Sequence, residues 1–148
     1  MADGSHITPD YFRTILVTVV GQAYAAAGYE LEERPVQWAG GRFRFLKKMS
    51  NDLTAVIEYQ LLTYVDSEWA VGQPSRFKVT LICTDGRRRD LSALVVEDFG
   101  VAILPSATHW WTFQNLDELG KALAEAGHLV VGYGIPWLAG DLKPDETQ

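Results

Sequence analysis

Arg42-Phe43-Arg44-Phe45-Leu46-Lys47-Lys48-Met49, then Ser50-Asn51-Asp52, then Leu53-Thr54-Ala55-Val56-Ile57-Glu58-Tyr59-Gln60, is the stretch whose phase decides how this chain folds. Both flanks alternate apolar and polar residues, the pattern of half-buried strands, and the three polar residues between them tolerate a tight turn. A three-residue turn there sets Phe43 opposite Tyr59, Phe45 opposite Ile57 and Met49 opposite Leu53 on one face. The other face then pairs Arg44 with Glu58, Arg42 with Gln60 and Leu46 with Val56. A slip by one residue would bury Arg44 and Glu58 and turn the aromatic rings outward, which desolvation forbids.

Period two extends well beyond this hairpin. The pattern predicts strands over 29–34, 42–49, 53–65, 76–84, 91–97, 100–104 and 110–113, separated by Gly, Pro, Asn and Asp clusters. Phe77, Val79, Leu81 and Cys83 continue the inward layer, and Leu91, Ala93 and Val95 extend it in a further strand after a turn at Thr84-Asp85-Gly86.

Helices bracket the strands. Thr8-Pro9-Asp10 combines an N-cap, a proline suited to the first turn and an acid at the positive helix end. Phe12, Ile15, Leu16, Val19, Val20, Ala23 and Ala26 follow at helical spacing, and Gly28 supplies a C-terminal stop, so a helix is predicted over 9–27. A second is predicted over 116–126, capped by Asn115 with Glu118, buried through Leu116, Leu119, Ala122 and Leu123 and ended by Gly127. An irregular apolar segment, 128–138, is expected after it, with Trp137 at the margin of the core. The fold class is therefore α+β: an antiparallel meander of five or six strands with an N-terminal and a C-terminal helix packed on one face. Residues 1–148 read as one domain, with flexible ends at 1–7 and 141–148.

A net charge of −6 sets the overall field against nucleic-acid backbones and anionic lipid surfaces, so neither is an expected partner. Cys83 is the only cysteine, which excludes an intramolecular disulfide and suits a reducing cytoplasm. No apolar run approaches the roughly 20 residues of a membrane span, and residues 1–6 lack the pattern of a signal peptide. His109 and His128 have no companion cluster that would suggest a metal, and the usual nucleophile, phosphate-loop and dinucleotide motifs are missing. Adjacent Glu97 and Asp98 would point to opposite faces of a strand, which denies them a shared acid–base role. No cofactor is predicted.

Three features point to binding. Arg87-Arg88-Arg89, expected at a hairpin tip, can hold a carboxylate or a phosphate, or can serve as a solvated turn that discourages edge aggregation. Trp69, in the long connection 65–74, and Trp38, in the connection 35–41, are candidate anchors for a partner or an aromatic ligand; each can equally cap the sheet margin. Trp110, Trp111 and Trp137 are expected mainly in packing roles. The second face of the sheet mixes Val56, Leu62, Tyr64 and Ile82 with Glu58, Gln60, Lys78 and Thr80, which is more apolar than a merely wetted face.

The order helix, meander, capped helix and the ending Gly134-Ile135-Pro136-Trp137-Leu138 resembles small uncharacterised bacterial α+β domains that finish in a similar Pro-Trp-Leu tail. That resemblance implies a bacterial cytoplasmic origin and no substrate, cofactor or catalytic residue. The leading functional expectation is a non-enzymatic protein-interaction module that self-associates, as a homodimer, through the mixed sheet face or a strand edge. The alternatives are a small-ligand binder using the curved sheet with Trp38 or Trp69, and an enzyme whose site has no sequence motif.

Overall fold

The computed structural model describes residues 7–63 and 75–144 of the chain. Tyr64 and Trp69, two of the candidate binding residues, lie outside the described residues, as do 1–6 and 145–148 of the expected flexible ends. The rest of those ends is anchored: Ile7 is buried in the core, and the Asp141 and Leu142 amides donate to the Pro136 carbonyl.

Helix α1, Pro9–Ala26, begins where its caps predict, with the Thr8 hydroxyl accepting from the Tyr11 amide at 3.1 Å. The chain leaves it through Gly28 at φ +95°, a left-handed conformation that glycine adopts without a Cβ penalty. Next come the two-residue strand β1, Glu30–Leu31, and a short helix α2, Pro35–Ala39. The hairpin of β2, Arg42–Ser50, and β3, Leu53–Leu62, has the predicted register: Phe43 pairs Tyr59, Arg44 pairs Glu58, Phe45 pairs Ile57 and Leu46 pairs Val56. Its tip differs from expectation. Ser50, and not Met49, pairs Leu53, because a bulge between Lys48 and Ser50 absorbs one residue and tightens the turn.

Strand β4, Ser75–Cys83, pairs antiparallel with β3 and presents Phe77, Val79, Leu81 and Cys83 to the same interior layer. Its other edge is shared end to end. Strand β5, Arg88–Asp90, pairs Thr80 to Ile82, and β6, Trp111–Phe113, pairs Ser75 to Phe77. Six antiparallel strands thus form one sheet among the described residues.

The predicted strand over 91–97 is helical instead: a single turn α3, Leu91–Ala93, runs into a π-helical turn, Leu94–Asp98. Leu91, Leu94 and Val95 are all buried at helical spacing, so the segment Leu91 to Val96, apolar except for Ser92, satisfied both periods and tertiary packing chose between them. The turn preceding it, with Gly86 at φ +104°, is tight enough that Arg88–Asp90 already forms the returning strand. The predicted strand over 100–104 is irregular chain, pinned beyond by the buried Ser92 hydroxyl, which donates to the Ala107 carbonyl and accepts from the His109 amide.

Helix α4, Leu116–Leu129, starts on its predicted cap: the Asn115 side chain accepts from the Glu118 amide at 2.9 Å, and Glu118 accepts from the Gln114 amide at 2.8 Å. Two expectations about it are corrected. Leu116 is exposed rather than part of the buried stripe, which runs through Leu119, Leu123, Ala126 and Leu129. Gly127 does not stop the helix but lies buried within it, and the segment expected to be irregular continues as a π-helical turn, Val130–Gly134, and a last turn α5, Ile135–Leu138. Gly127 is there for proximity: a Cβ in its place would come within 2.9 Å of Val20 Cγ1 on α1.

Both helices cover one face of the sheet. Phe12 of α1 meets Phe43, Phe77 and Phe113 at ring separations of 5.2, 5.8 and 6.4 Å, and Tyr24 lies edge-on to Phe45 at 5.0 Å. Arg42 and Arg44 lie on the opposite face, away from these rings.

Candidate functional site

Strand alternation assigns the site's residues before any contact is considered. With Phe43, Ile57 and Leu81 facing the helices, the outer face of the sheet receives Arg42, Arg44 and Lys48 from β2, Arg76 and Lys78 from β4, and Arg88 from β5. The acids on that face are Glu30, Glu58 and Asp90, so six cations meet three anions. The remaining described residues carry seven cations and eleven anions, so among the described residues the basic excess is confined to this face.

At the centre sits Glu58, only 5% exposed. Its Oε1 lies 3.1 Å from the Nε of both Arg42 and Arg44, and its Oε2 lies 3.9 Å from Arg88 Nη2. The two sets of guanidiniums arrive from opposite sides, from β2 and from β5. Val56 and Thr80 beside Glu58 are also buried, although no helix of the described residues covers this face. Arg42 and Arg88 remain 49% and 61% exposed. Asp90 is committed elsewhere: it accepts from the Thr80 hydroxyl at 3.1 Å and lies 3.8 Å from Lys78 Nζ.

The face continues toward β6 as a second cluster. Trp111 turns inward and stacks on Phe77, so Trp110 turns outward, where Arg76 and Lys78 lie over its ring at 4.6 and 5.5 Å. The packing role expected of Trp111 holds, whereas Trp110 belongs to the outer surface.

The three consecutive arginines do not act together. Arg87 turns to the C-terminal end of α5, donating to the Trp137 and Leu138 carbonyls at 2.9 and 3.1 Å while its guanidinium lies 5.2 Å from the Trp137 ring. It serves as a C-cap for a helix some fifty residues away in sequence. Its backbone amide and Nε both donate to Asp85, whose carboxyl is held below its usual range chiefly by that amide bond. Arg89 grips Asp98 through two bonds of 2.8 and 2.9 Å and Glu97 through one of 2.8 Å, and the Asp98 bonds raise its already high pKa. Glu97 and Asp98 converge on one guanidinium because they lie on a helical turn rather than on a strand. Arg88 alone joins the outer face.

Trp38 lies in α2 rather than in a loop, stacked on Phe43 at 6.4 Å with the Arg13 guanidinium 4.9 Å from its ring. A cleft of about 320 Å³ opens beside it between Thr8, Pro9, Asp10, Pro35 and Ala39. The indole N–H of Trp38 and the Nε–H of Arg13 are both buried without a hydrogen-bond acceptor.

Elsewhere, an apolar groove of about 300 Å³ runs between α1 and α4 along Val19, Ala23, Ala124 and Val131. His109 sits edge-on to Trp111 with burial lowering its pKa, against a smaller opposing pull from Glu125. Among the described residues no group of His, Cys, Asp and Glu could hold a metal, and no helix is long and apolar enough to cross a membrane.

No protein-family model matches the chain, and neither a curated protein nor a solved structure matches it. Its chemistry is therefore argued from its own geometry. Sequence inspection registered Arg42, Arg44 and Glu58 as cross-strand pairs but not as a site; counting charge by sheet face instead of along the chain would have separated them from the acidic remainder.

Proposed function

We propose that this chain is a non-enzymatic protein-interaction module that uses the outer face of its sheet to dock an acidic surface of another protein. The observation that carries this reading is the segregation of charge among the described residues: six cations against three anions on this face, and seven cations against eleven anions elsewhere. Such a face steers an acidic partner toward itself while the rest of the molecule repels it, which favours one orientation of approach. Exposed Arg42 and Arg88 and the half-buried Trp110 supply the residue types that dominate binding energy at protein interfaces. The same observation argues against a symmetric homodimer through this face, because a two-fold axis would set the basic clusters of two copies against each other.

A fluorescein-labelled peptide of alternating Glu and Gly, followed by anisotropy, tests the reading. Binding is expected at 50 mM NaCl and should weaken at least about tenfold by 500 mM, since the Debye length falls from roughly 14 Å to about 4 Å. Replacing Arg88 and Lys78 by glutamate should abolish it with little change in melting temperature. Binding that ignores both salt and these charge reversals would refute the proposal.

The cleft beside Trp38 supports a second reading, as a small-ligand site, because the indole N–H of Trp38, a lining residue, is buried without an acceptor. A small aromatic carboxylate would supply that acceptor. Quenching of tryptophan emission by such acids, lost in Trp38→Phe, would favour it; quenching that persists unchanged in the variant would remove it.

A further inference from the structure

We infer that the guanidinium cluster over Glu58 is a recognition site for a phosphomonoester, carried as a phosphorylated side chain within the acidic segment of the partner protein. The inference rests on the interaction reading above and specifies what the centre of that face selects.

Three arginines share one carboxylate. Arg42 and Arg44 direct Nε to the same oxygen of Glu58 at 3.1 Å, and Arg88 approaches the other oxygen at 3.9 Å, so the four groups together carry a charge of +2. Among the described residues no other acid pairs with these three arginines, and the nearby Asp90 is engaged by Thr80 and Lys78. A glutamate or aspartate from a partner would neutralise only half of that excess. A phosphomonoester carries about −1.5 to −2 at pH 7 and offers three acceptor oxygens, which matches it in charge and in number of forks.

The buried carboxylate has a definite part in this arrangement. By holding Nε of two arginines, Glu58 restrains both guanidiniums, and no hydrogen bond among the described residues engages their terminal nitrogens. Rotamer entropy that a free arginine would lose on binding is thus already lost in the folded protein. Overall negative charge does not contradict the site, since among the described residues no acid other than Glu58 pairs with these arginines, and charges beyond about 8 Å are screened at physiological ionic strength.

Three peptides identical except at one position, bearing serine, glutamate or phosphoserine within a Glu-Gly repeat, distinguish this inference from the broader one. At pH 7.5 and 100 mM NaCl the phosphoserine peptide should bind about tenfold or more tightly than the serine peptide and at least about threefold more tightly than the glutamate peptide. Its advantage should shrink as pH falls from 7.5 to 5.5, because the second phosphate proton returns near pH 6 while the carboxylates stay ionised. That pH dependence is read on the unaltered protein and needs no variant. Arg88→Gln, at the most exposed of the three positions, should weaken the phosphoserine peptide far more than the serine peptide, so that the ratio of their affinities falls to within about twofold of unity; an unchanged ratio counts against the site. Equal affinity for all three peptides overturns this inference and leaves the interaction module standing. Failure of all three to bind overturns both.

Discussion

Tyr24 and Tyr59 bring their hydroxyls to 2.6 Å inside an otherwise apolar core, across thirty-five residues of sequence. Each hydroxyl satisfies the other, so the pair is tolerated where either alone would be an unpaired polar group. Tyr24→Phe and Tyr59→Phe should therefore each cost about 1–2 kcal/mol by urea denaturation, while the double variant should cost clearly less than their sum. Strict additivity would mean that the two hydroxyls do not interact. Burial raises the pKa of both phenols. The folded chain consequently keeps these protons to higher pH than the unfolded chain, in which tyrosine titrates near 10. Their contribution to stability is full below about pH 10 and is lost as pH rises above it toward the folded values. Melting temperature should fall less steeply above pH 10 in the double phenylalanine variant than in the parent; parallel curves would contradict the assignment. Nothing in the sequence revealed this pair. Tyr24 lies on the predicted helix and Tyr59 on the predicted strand, but inward-facing phenolic oxygens announce a partner without naming it.

The elements that could be read from sequence were those in which cap, period and turn all agreed. Helix α1 had its Thr8 cap, Pro9 and Gly28, and the hairpin of β2 and β3 had two faces whose exchange would bury Arg44 and Glu58. The run after Asp90 lacked such agreement: its apolar residues fit a strand at period two and a helix at three or four, and only the packing of Leu91, Leu94 and Val95 resolved it. Gly127 misled for a related reason, since a glycine late in a helix signals a stop as readily as a close approach. Its contact with Val20 makes the distinction measurable. Alanine at 127 improves helix propensity by about 1 kcal/mol, yet its Cβ would lie 2.9 Å from Val20 Cγ1, a methyl on a stiff β-branched side chain. Gly127→Ala should therefore destabilise by about 1 kcal/mol net, as overpacked core sites do. Combining it with Val20→Ala should cost less than the two changes separately, by about 0.5 kcal/mol or more. A stabilised Gly127→Ala protein would mean that α1 and α4 do not meet as closely as the 2.9 Å approach to Val20 requires.

At the scale of the whole molecule, the sheet divides the described residues into two electrostatic halves: a basic outer face, and an acidic remainder of seven cations and eleven anions that includes the helical layer. Sequence reading reached the unusual character of that face through Val56, Leu62 and Ile82 and attributed it to apolar surface. The charges were visible in the same strands, but their excess emerges only when β2, β4 and β5 are placed side by side, and Arg88 joins them only because the turn at Gly86 is tight. This division governs association between copies. A symmetric dimer through the outer face would bring Arg42, Arg44 and Arg88 against their equivalents, and like charges juxtaposed at an interface cost several kcal/mol. Head-to-tail contact of basic face with acidic body has the right signs but no closure, and would build open chains rather than dimers. Sedimentation velocity should therefore find a monomer at 50 μM in 150 mM NaCl. At 20 mM NaCl any association should appear as a continuous, concentration-dependent rise in sedimentation coefficient, because screening of the attraction is relieved. A discrete dimer that persists at 500 mM NaCl would instead require an apolar interface, for which the groove between α1 and α4 is the place to look, and would remove the outer face as the principal docking surface.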